Sequence, residues 1–304
     1  MLNSSGATVL QNVEMQQGDT TTYESPPVIQ ALADGRFIAV WCKDGLSDDT
    51  TTMKVQARIF NADGTASSNE FQVGSWGVDG SDGYDVPAMS VTQLTGGQVV
   101  IAYARNSVEF GGNTDQPVFA VVNPATATVS ASDLVMQQVD ASGVESSPVI
   151  QALADGRFIA LWSQNALSED VTTTRVQARI FNADGTPGSN EFQVGSWAID
   201  GYDGYDVPSL TTTQLAGGNV VVAYVRSTAE MDDDEPVLAV INPTTGAVLA
   251  SNIEMQQSDT TTYESPPVIQ ALADGRFIGV WYKNATSDDT TSMTVQARIF
   301  NADG

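Results

Sequence analysis

Acidic side chains recur at set places in this sequence, and carboxylates spaced by a few residues around glycine are the donors that hard cations such as Ca²⁺ take, with backbone carbonyls completing the shell. Counting back from Pro27, Pro87, Pro148, Pro208 and Pro267, an aspartate falls eight positions earlier each time: Asp19, Asp79, Asp140, Asp200 and Asp259. A second acid stands two or three positions before each proline: Glu24, Asp85, Glu145, Asp206 and Glu264. Two segments add Asp82 and Asp203, giving the pattern Asp-x-x-Asp-Gly-x-Asp. Asp79, Asp82, Asp85, Asp200, Asp203 and Asp206 are therefore the denser metal-ligand candidates, Asp19, Asp140 and Asp259 the sparser ones, and Ca²⁺ is the cofactor they would hold. A competing reading gives the same residues to Asx turns on a solvated surface.

Aromatic residues recur beside these acids. Trp41, Trp162 and Trp281 share one repeat position, filled by Tyr103 and Tyr224 in the alternate copies, while Trp76 and Trp197 enter just ahead of the Asp-Gly segments. An indole beside carboxylates is a common way to stack the apolar face of a sugar. Trp41, Trp76, Trp162, Trp197 and Trp281, with Glu24, Glu145 and Glu264, are thus ligand-binding candidates, although packing between sheets is the stronger claim on Trp41, Trp162 and Trp281. No catalytic residue is assigned. Acid–base cleavage needs two carboxylates in different surroundings, whereas near-identical repeats imply near-identical sites, and the strand Val28 to Leu32 carries no acid.

The elements that must position these residues come from an internal repeat. VIQALADGRFIAVW (Val28 to Trp41) returns at Val149 to Trp162 and Val268 to Trp281, with divergent copies at Met89 to Tyr103 and Leu210 to Tyr224. The anchoring prolines stand 60, 61, 60 and 59 residues apart. Within each repeat two apolar runs meet at Ala-Asp-Gly or Gly-Gly, the chemistry of a tight hairpin. A second pair follows: VQARIFNADG (Val55, Val176 and Val295 onward) in the odd repeats, then NEFQV in the first two of them (Asn69 to Val73, Asn190 to Val194), and PVFAVVNP or PVLAVINP (Pro117 and Pro236 onward) in the even ones. Each repeat is a four-stranded meander whose second strand, such as Phe37 to Trp41, is apolar on both faces and needs a sheet on either side.

The expected fold is all-β: a five-bladed β-propeller of four-stranded blades, one domain over residues 1–304, with first strands starting near residues 27, 87, 148, 208 and 267. Gly6 to Met15 matches Gly246 to Met255 at an offset of 240 residues, so the N-terminal strand is expected to complete the fifth blade by pairing with Val295 to Phe300. Closure of that kind removes exposed sheet edges.

Composition narrows the partners. A formal net charge of −25 repels nucleic-acid phosphates and anionic lipid headgroups. Cys42 is the only cysteine and histidine is absent, which excludes an intrachain disulfide and a Ser-His-Asp triad within this chain. The N-terminus has no signal-peptide pattern, so either no leader is made or it has been removed, and no 18-residue apolar run offers membrane insertion.

ALADGRFIAVW, VQARIFNADGT and NEFQV resemble repeat segments of large bacterial surface and secreted proteins, often found beside haemolysin-type calcium-binding repeats. The resemblance spans nearly the whole chain through the odd repeats, but no tandem Gly-Gly-x-Gly-x-Asp run is present. The five-bladed arrangement also looks like that of tachylectin-type sugar-binding propellers and five-bladed glycosidases. Together these imply an extracellular or cell-surface location and a glycan or other extracellular ligand, with self-association as a further partner. Repetition favours multivalent binding, so the expected function is a non-enzymatic, lectin-like or adhesive module dependent on calcium. A structural subunit of a surface layer or filament is the alternative, and a glycoside hydrolase ranks last.

Overall fold

The computed structural model describes residues 13–18, 24–45, 51–78, 87–107, 114–138, 144–167, 171–200, 209–227, 234–257, 264–284 and 293–304. The first repeat forms β1 (Val28–Ala31), β2 (Phe37–Gly45), β3 (Thr51–Phe60) and β4 (Phe71–Val78). The second forms β5 (Ser90–Gln93), β6 (Val99–Ser107), β7 (Thr114–Asn123) and β8 (Thr128–Val135). The third comprises β9 (Val144–Glu145), β10 (Val149–Ala152), β11 (Phe158–Leu167), β12 (Val171–Phe181) and β13 (Phe192–Asp200). The fourth comprises β14 (Thr211–Gln214), β15 (Val220–Ser227), β16 (Asp234–Asn242) and β17 (Ala247–Glu254), and the fifth β18 (Val268–Ala271), β19 (Phe277–Asn284) and β20 (Met293–Phe300). Each repeat is one antiparallel sheet with its strands in chain order; β9 joins the third beside β11, and the fifth has three strands among the described residues. The chain is therefore all-β, built of antiparallel meanders of the expected kind. Among the described residues no helix is long and apolar enough to cross a membrane.

Local chemistry sets the hairpins. Gly35 ends the first Ala-Asp-Gly turn at φ 87° and donates its N–H to Leu32 O at 3.0 Å. That backbone region is cheap for glycine and costly for residues with a Cβ. Asp34 ties off the same turn, accepting from the Arg36 backbone N–H at 3.1 Å and from its guanidinium at 2.9 and 2.7 Å. These bonds hold the Asp34 carboxyl below its ordinary range.

The chain divides into two compact units, residues 1–135 with 183–186, and residues 136–182 with 187–304. In the first, Ile38, Val40, Val55 and Ile59 share one core with Val99, Ile101, Tyr103 and Val118 of the next sheet. Ala39, Trp41 and Phe60 point the other way, where Val13, Met15 and Phe37 join them. Strand β2 is thus buried on both faces, as its unbroken apolar run requires. In the second unit, Ile159, Leu161 and Ile180 pack with Val220, Val222 and Ile241. The opposite side of that fourth sheet, through Leu238 and Val240, packs with Phe277, Trp281 and Phe300. The remaining face of the fifth sheet leaves Val295 76% and Ile299 50% exposed. The pairing expected between Gly6–Met15 and Val295–Phe300 falls mostly outside the described residues; among these, β20 pairs with β19 alone.

Candidate functional site

Asp19, Asp79, Asp82, Asp85, Asp140, Asp203, Asp206 and Asp259 lie outside the described residues, and Asp200 ends β13. Among the described residues no group of three or more histidine, cysteine or acidic side chains is placed to hold a metal ion.

The second set of acids is in place. In each odd repeat a Glu-Ser pair ahead of the first strand is strapped to the far end of the second strand. The Ser25 N–H donates to Cys42 O at 2.9 Å while the Cys42 N–H donates to Ser25 Oγ at 2.9 Å. Ser146 clasps Ser163, and Ser265 clasps Tyr282, in the same way. The strap sets each glutamate opposite one residue of that strand: Glu24 faces Lys43, Glu145 faces Gln164 and Glu264 faces Lys283. Glu145 and Glu264 are buried, at 3% and 1% exposure. Glu145 Oε1 accepts from Gln137 Nε2 at 2.8 Å and Gln164 Nε2 at 3.3 Å. The same repeat position thus differs in what stands opposite it, a glutamine whose amide reaches Glu145 and a lysine across from Glu264.

The tryptophans serve packing first. Trp41 and Trp162 lie in the interior beside their sheets. Trp76 stacks on Tyr103, and Trp197 on Tyr224, each with ring centroids 5.6 Å apart. Trp281 also lines a cleft of about 270 Å³, with Gln256, Gln257, Lys283, Gln296 and Arg298 among its neighbours.

Residue reasoning missed the Met-Gln-Gln segments that precede the odd repeats. Arg58 Nη1 donates to Met15 O at 3.2 Å, and Arg179 to Met136 O and Arg298 to Met255 O at 3.1 Å each. Each guanidinium also sits over a ring, Phe60, Phe181 or Phe300. Gln17 and Glu70 exchange bonds: the Gln17 N–H donates to Glu70 Oε2 at 3.0 Å and the Glu70 N–H to Gln17 Oε1 at 2.8 Å. Gln138 and Glu191 repeat the exchange at 2.8 and 2.7 Å. The available signal was the constant spacing of 43 residues from each methionine to its arginine.

One cluster breaks the repeat. Arg226 reaches both Glu235 and Glu254, whereas in the second repeat Arg105 forks onto Gln116, and Val135 stands where Glu254 does.

No protein-family model and no curated protein matches this chain. Solved structures do. The polysaccharide lyase Uly1 is 10% identical, with a TM-score of 0.50 over 99% of this chain and 75% of that one. An endo-arabinase from Bacteroides thetaiotaomicron is 11% identical, with a TM-score of 0.46 over 90% and 92%. An α-L-arabinofuranosidase from Fusarium graminearum is 13% identical, with a TM-score of 0.48 over 96% and 79%. At such identities the likeness is one of fold. The expectation of a non-enzymatic lectin-like or adhesive module, with a structural subunit as its alternative, is corrected here, because the structure that matches over 99% of this chain, Uly1, is a polysaccharide lyase. The premise behind that expectation fails on physical grounds too: like positions in the repeat, Glu145 and Glu264, do not have like surroundings.

Proposed function

We propose that this chain is a carbohydrate-active enzyme that cleaves glycosidic bonds in an extracellular polysaccharide, on five sheets arranged as the blades of a β-propeller. The propeller reading draws support from a strand buried on both faces between its neighbours. The enzymatic reading rests on one observation, the unequal surroundings of Glu145 and Glu264. Glycoside hydrolysis needs one carboxyl that keeps its proton for the leaving oxygen and one carboxylate that stays ionised. Burial among amides favours the protonated form, and a nearby cation favours the ionised form. Glu145, with Gln137 and Gln164 about it, takes the role of general acid. Glu264, opposite Lys283, takes that of base or nucleophile.

The test is release of reducing ends from arabinan, xylan and uronate-containing polysaccharides by the wild-type chain, Glu145→Gln and Glu264→Gln. Activity on at least one polymer is expected, with each amide variant lowering kcat by about 10²-fold or more while the unfolding midpoint holds. Activity unchanged in both variants, or absent on every polymer, would reject the assignment. Unsaturated products, read by ultraviolet absorbance, would replace hydrolysis by elimination.

A further inference from the structure

We infer that Arg175 receives an anionic group of the polysaccharide, a uronate carboxylate or a sulfate ester, in the subsite beside Glu145. The inference rests on the enzymatic reading of Glu145 and names the substrate class that goes with it.

Strand register sets the place. Glu145 on β9 stands opposite Gln164 on β11, Gln164 opposite Arg175 on β12, and Arg175 opposite Ser196 on β13. Residues directly opposite one another across antiparallel strands project from the same face of the sheet, so Glu145, Gln164, Arg175 and Ser196 form one row. The Gln164 amide already reaches along that row to Glu145 Oε1, at 3.3 Å. Two strand spacings separate the backbones of Arg175 and Glu145, about 10 Å.

Arg175 is spare. It is half-buried, and among the described residues it is the one arginine with neither a hydrogen bond nor an ion pair. The other arginines are all engaged. Three fork onto the aspartate two residues before them, as Arg36 does onto Asp34. Two hold Gln116 and Glu235 in the even repeats, and three bind a methionine carbonyl, as Arg179 does that of Met136. Taking a guanidinium partly out of water without an acceptor costs free energy. Its neighbours across the strands, Gln164 and Ser196, bring no charge, and the Ser196 hydroxyl is already accepting from Gln193 Nε2 at 3.1 Å. An oxyanion carried by the ligand supplies what is missing, because the planar guanidinium fork matches a carboxylate or similar group two oxygens at a time.

The repeat singles out the third sheet. The same position holds Lys54 in the first repeat and Thr294 in the fifth. Of the three odd rows, the third alone combines a buried glutamate with a guanidinium. The chain's net charge of −25 repels an anionic polymer at a distance, so such a substrate needs a cation held for it at the point of contact.

Calorimetric titration of uronate, sulfated and neutral oligosaccharides into the full chain carrying Glu145→Gln, which would halt cleavage, tests this. Binding of a uronate or a sulfated oligosaccharide is expected, and whichever binds identifies the group. Adding Arg175→Gln should weaken that binding about tenfold or more. Arg175→Lys should recover part of the loss by keeping the charge without the fork, and Lys54→Gln should leave binding unchanged. The urea midpoint should hold in the Arg175 variants, since no partner is lost; a fallen midpoint would show that the fold employs Arg175 and would overturn the inference. So would binding of neutral sugars alone, no binding at all, indifference to Arg175→Gln, or an equal loss in Lys54→Gln. Binding is read whether or not the wild-type chain cleaves, so the enzymatic reading and this one can fail separately.

Discussion

The Tyr103 hydroxyl lies against the backbone of Gly74, held there by the hydrogen bond it donates to Asp133 Oδ1 at 2.9 Å. A Cβ at Gly74 would overlap that oxygen. Tyr224, Gly195 and Asn252 repeat the arrangement, with a 2.8 Å bond. Asp133 and Asn252 both take φ near 50°, the left-handed region that aspartate and asparagine tolerate better than most residues, so the acceptor is turned inward by the backbone itself.

Gly74→Ala should therefore push Tyr103 off Asp133 and cost about 1–3 kcal/mol, as overpacking of a buried contact does. Gly77→Ala, on the same strand with open space around it, should leave stability nearly unchanged. Urea unfolding of the two variants checks the contrast, and equal losses would mean that the hydroxyl contact does not limit the position.

Glu70 gives the stability a pH dependence. Burial alone would raise its carboxyl, but the Lys43 ammonium at 2.8 Å and the Gln17 N–H at 3.0 Å outweigh that and hold it below the ordinary glutamate range. A carboxyl lowered in the folded state contributes stability above its unfolded pKa, about 4.3. The contribution drains away as pH falls through the lower folded value. Thermal unfolding of wild type and Glu70→Gln should thus differ most near neutrality and converge in acid. A gap independent of pH would show that the pair contributes no net electrostatic stability.

The meanders were legible because repeated apolar runs meeting at Ala-Asp-Gly turns carry their own local chemistry, and Gly35 takes the positive φ that its turn required. The tryptophans were half legible. Their recurrence marked a shared environment, but only the neighbouring sheet shows that Trp76 spends its face on Tyr103. Glu145 and Glu264 could be found by position, whereas their difference could not, since it arises from the residues opposite them on β11 and β19, Gln164 and Lys283, set by register. The Met-Gln-Gln clasps stayed hidden because their partners stand 43 and 53 residues away and each bond joins a side chain to a backbone group.

Cys42 is a test of burial. Its thiol lies 3.8 Å from Met89 Sδ inside the first unit, and desolvation pushes it up to about 12, so the reactive thiolate is scarce at neutral pH. Native protein should react with thiol reagents only as fast as it opens, and in full once denatured. Rapid labelling of the native chain would place Cys42 at an accessible surface.

The cluster peculiar to the fourth repeat separates charge from hydrogen bonding. Arg226 Nε donates to Glu235 Oε2 at 2.9 Å, and its Nη2 reaches the same oxygen as well as Glu254 Oε1 at 3.5 Å. In the second repeat Arg105 makes the equivalent fork to the neutral Gln116 Oε1, at 3.0 and 2.7 Å. Glu235→Gln therefore installs the partner that a sister sheet already uses, and it should unfold within about 1 kcal/mol of wild type, the net worth of an ordinary hydrogen bond. Glu235→Ala strips the fork from a half-buried guanidinium and should cost about 1–3 kcal/mol, the penalty for leaving such donors unsatisfied. Guanidinium chloride would mask the charge difference, so urea midpoints are the measurement. If Gln proves as costly as Ala, the fork is held by charge alone, and the second repeat must then obtain its stability at Arg105 from packing of the side-chain stem instead.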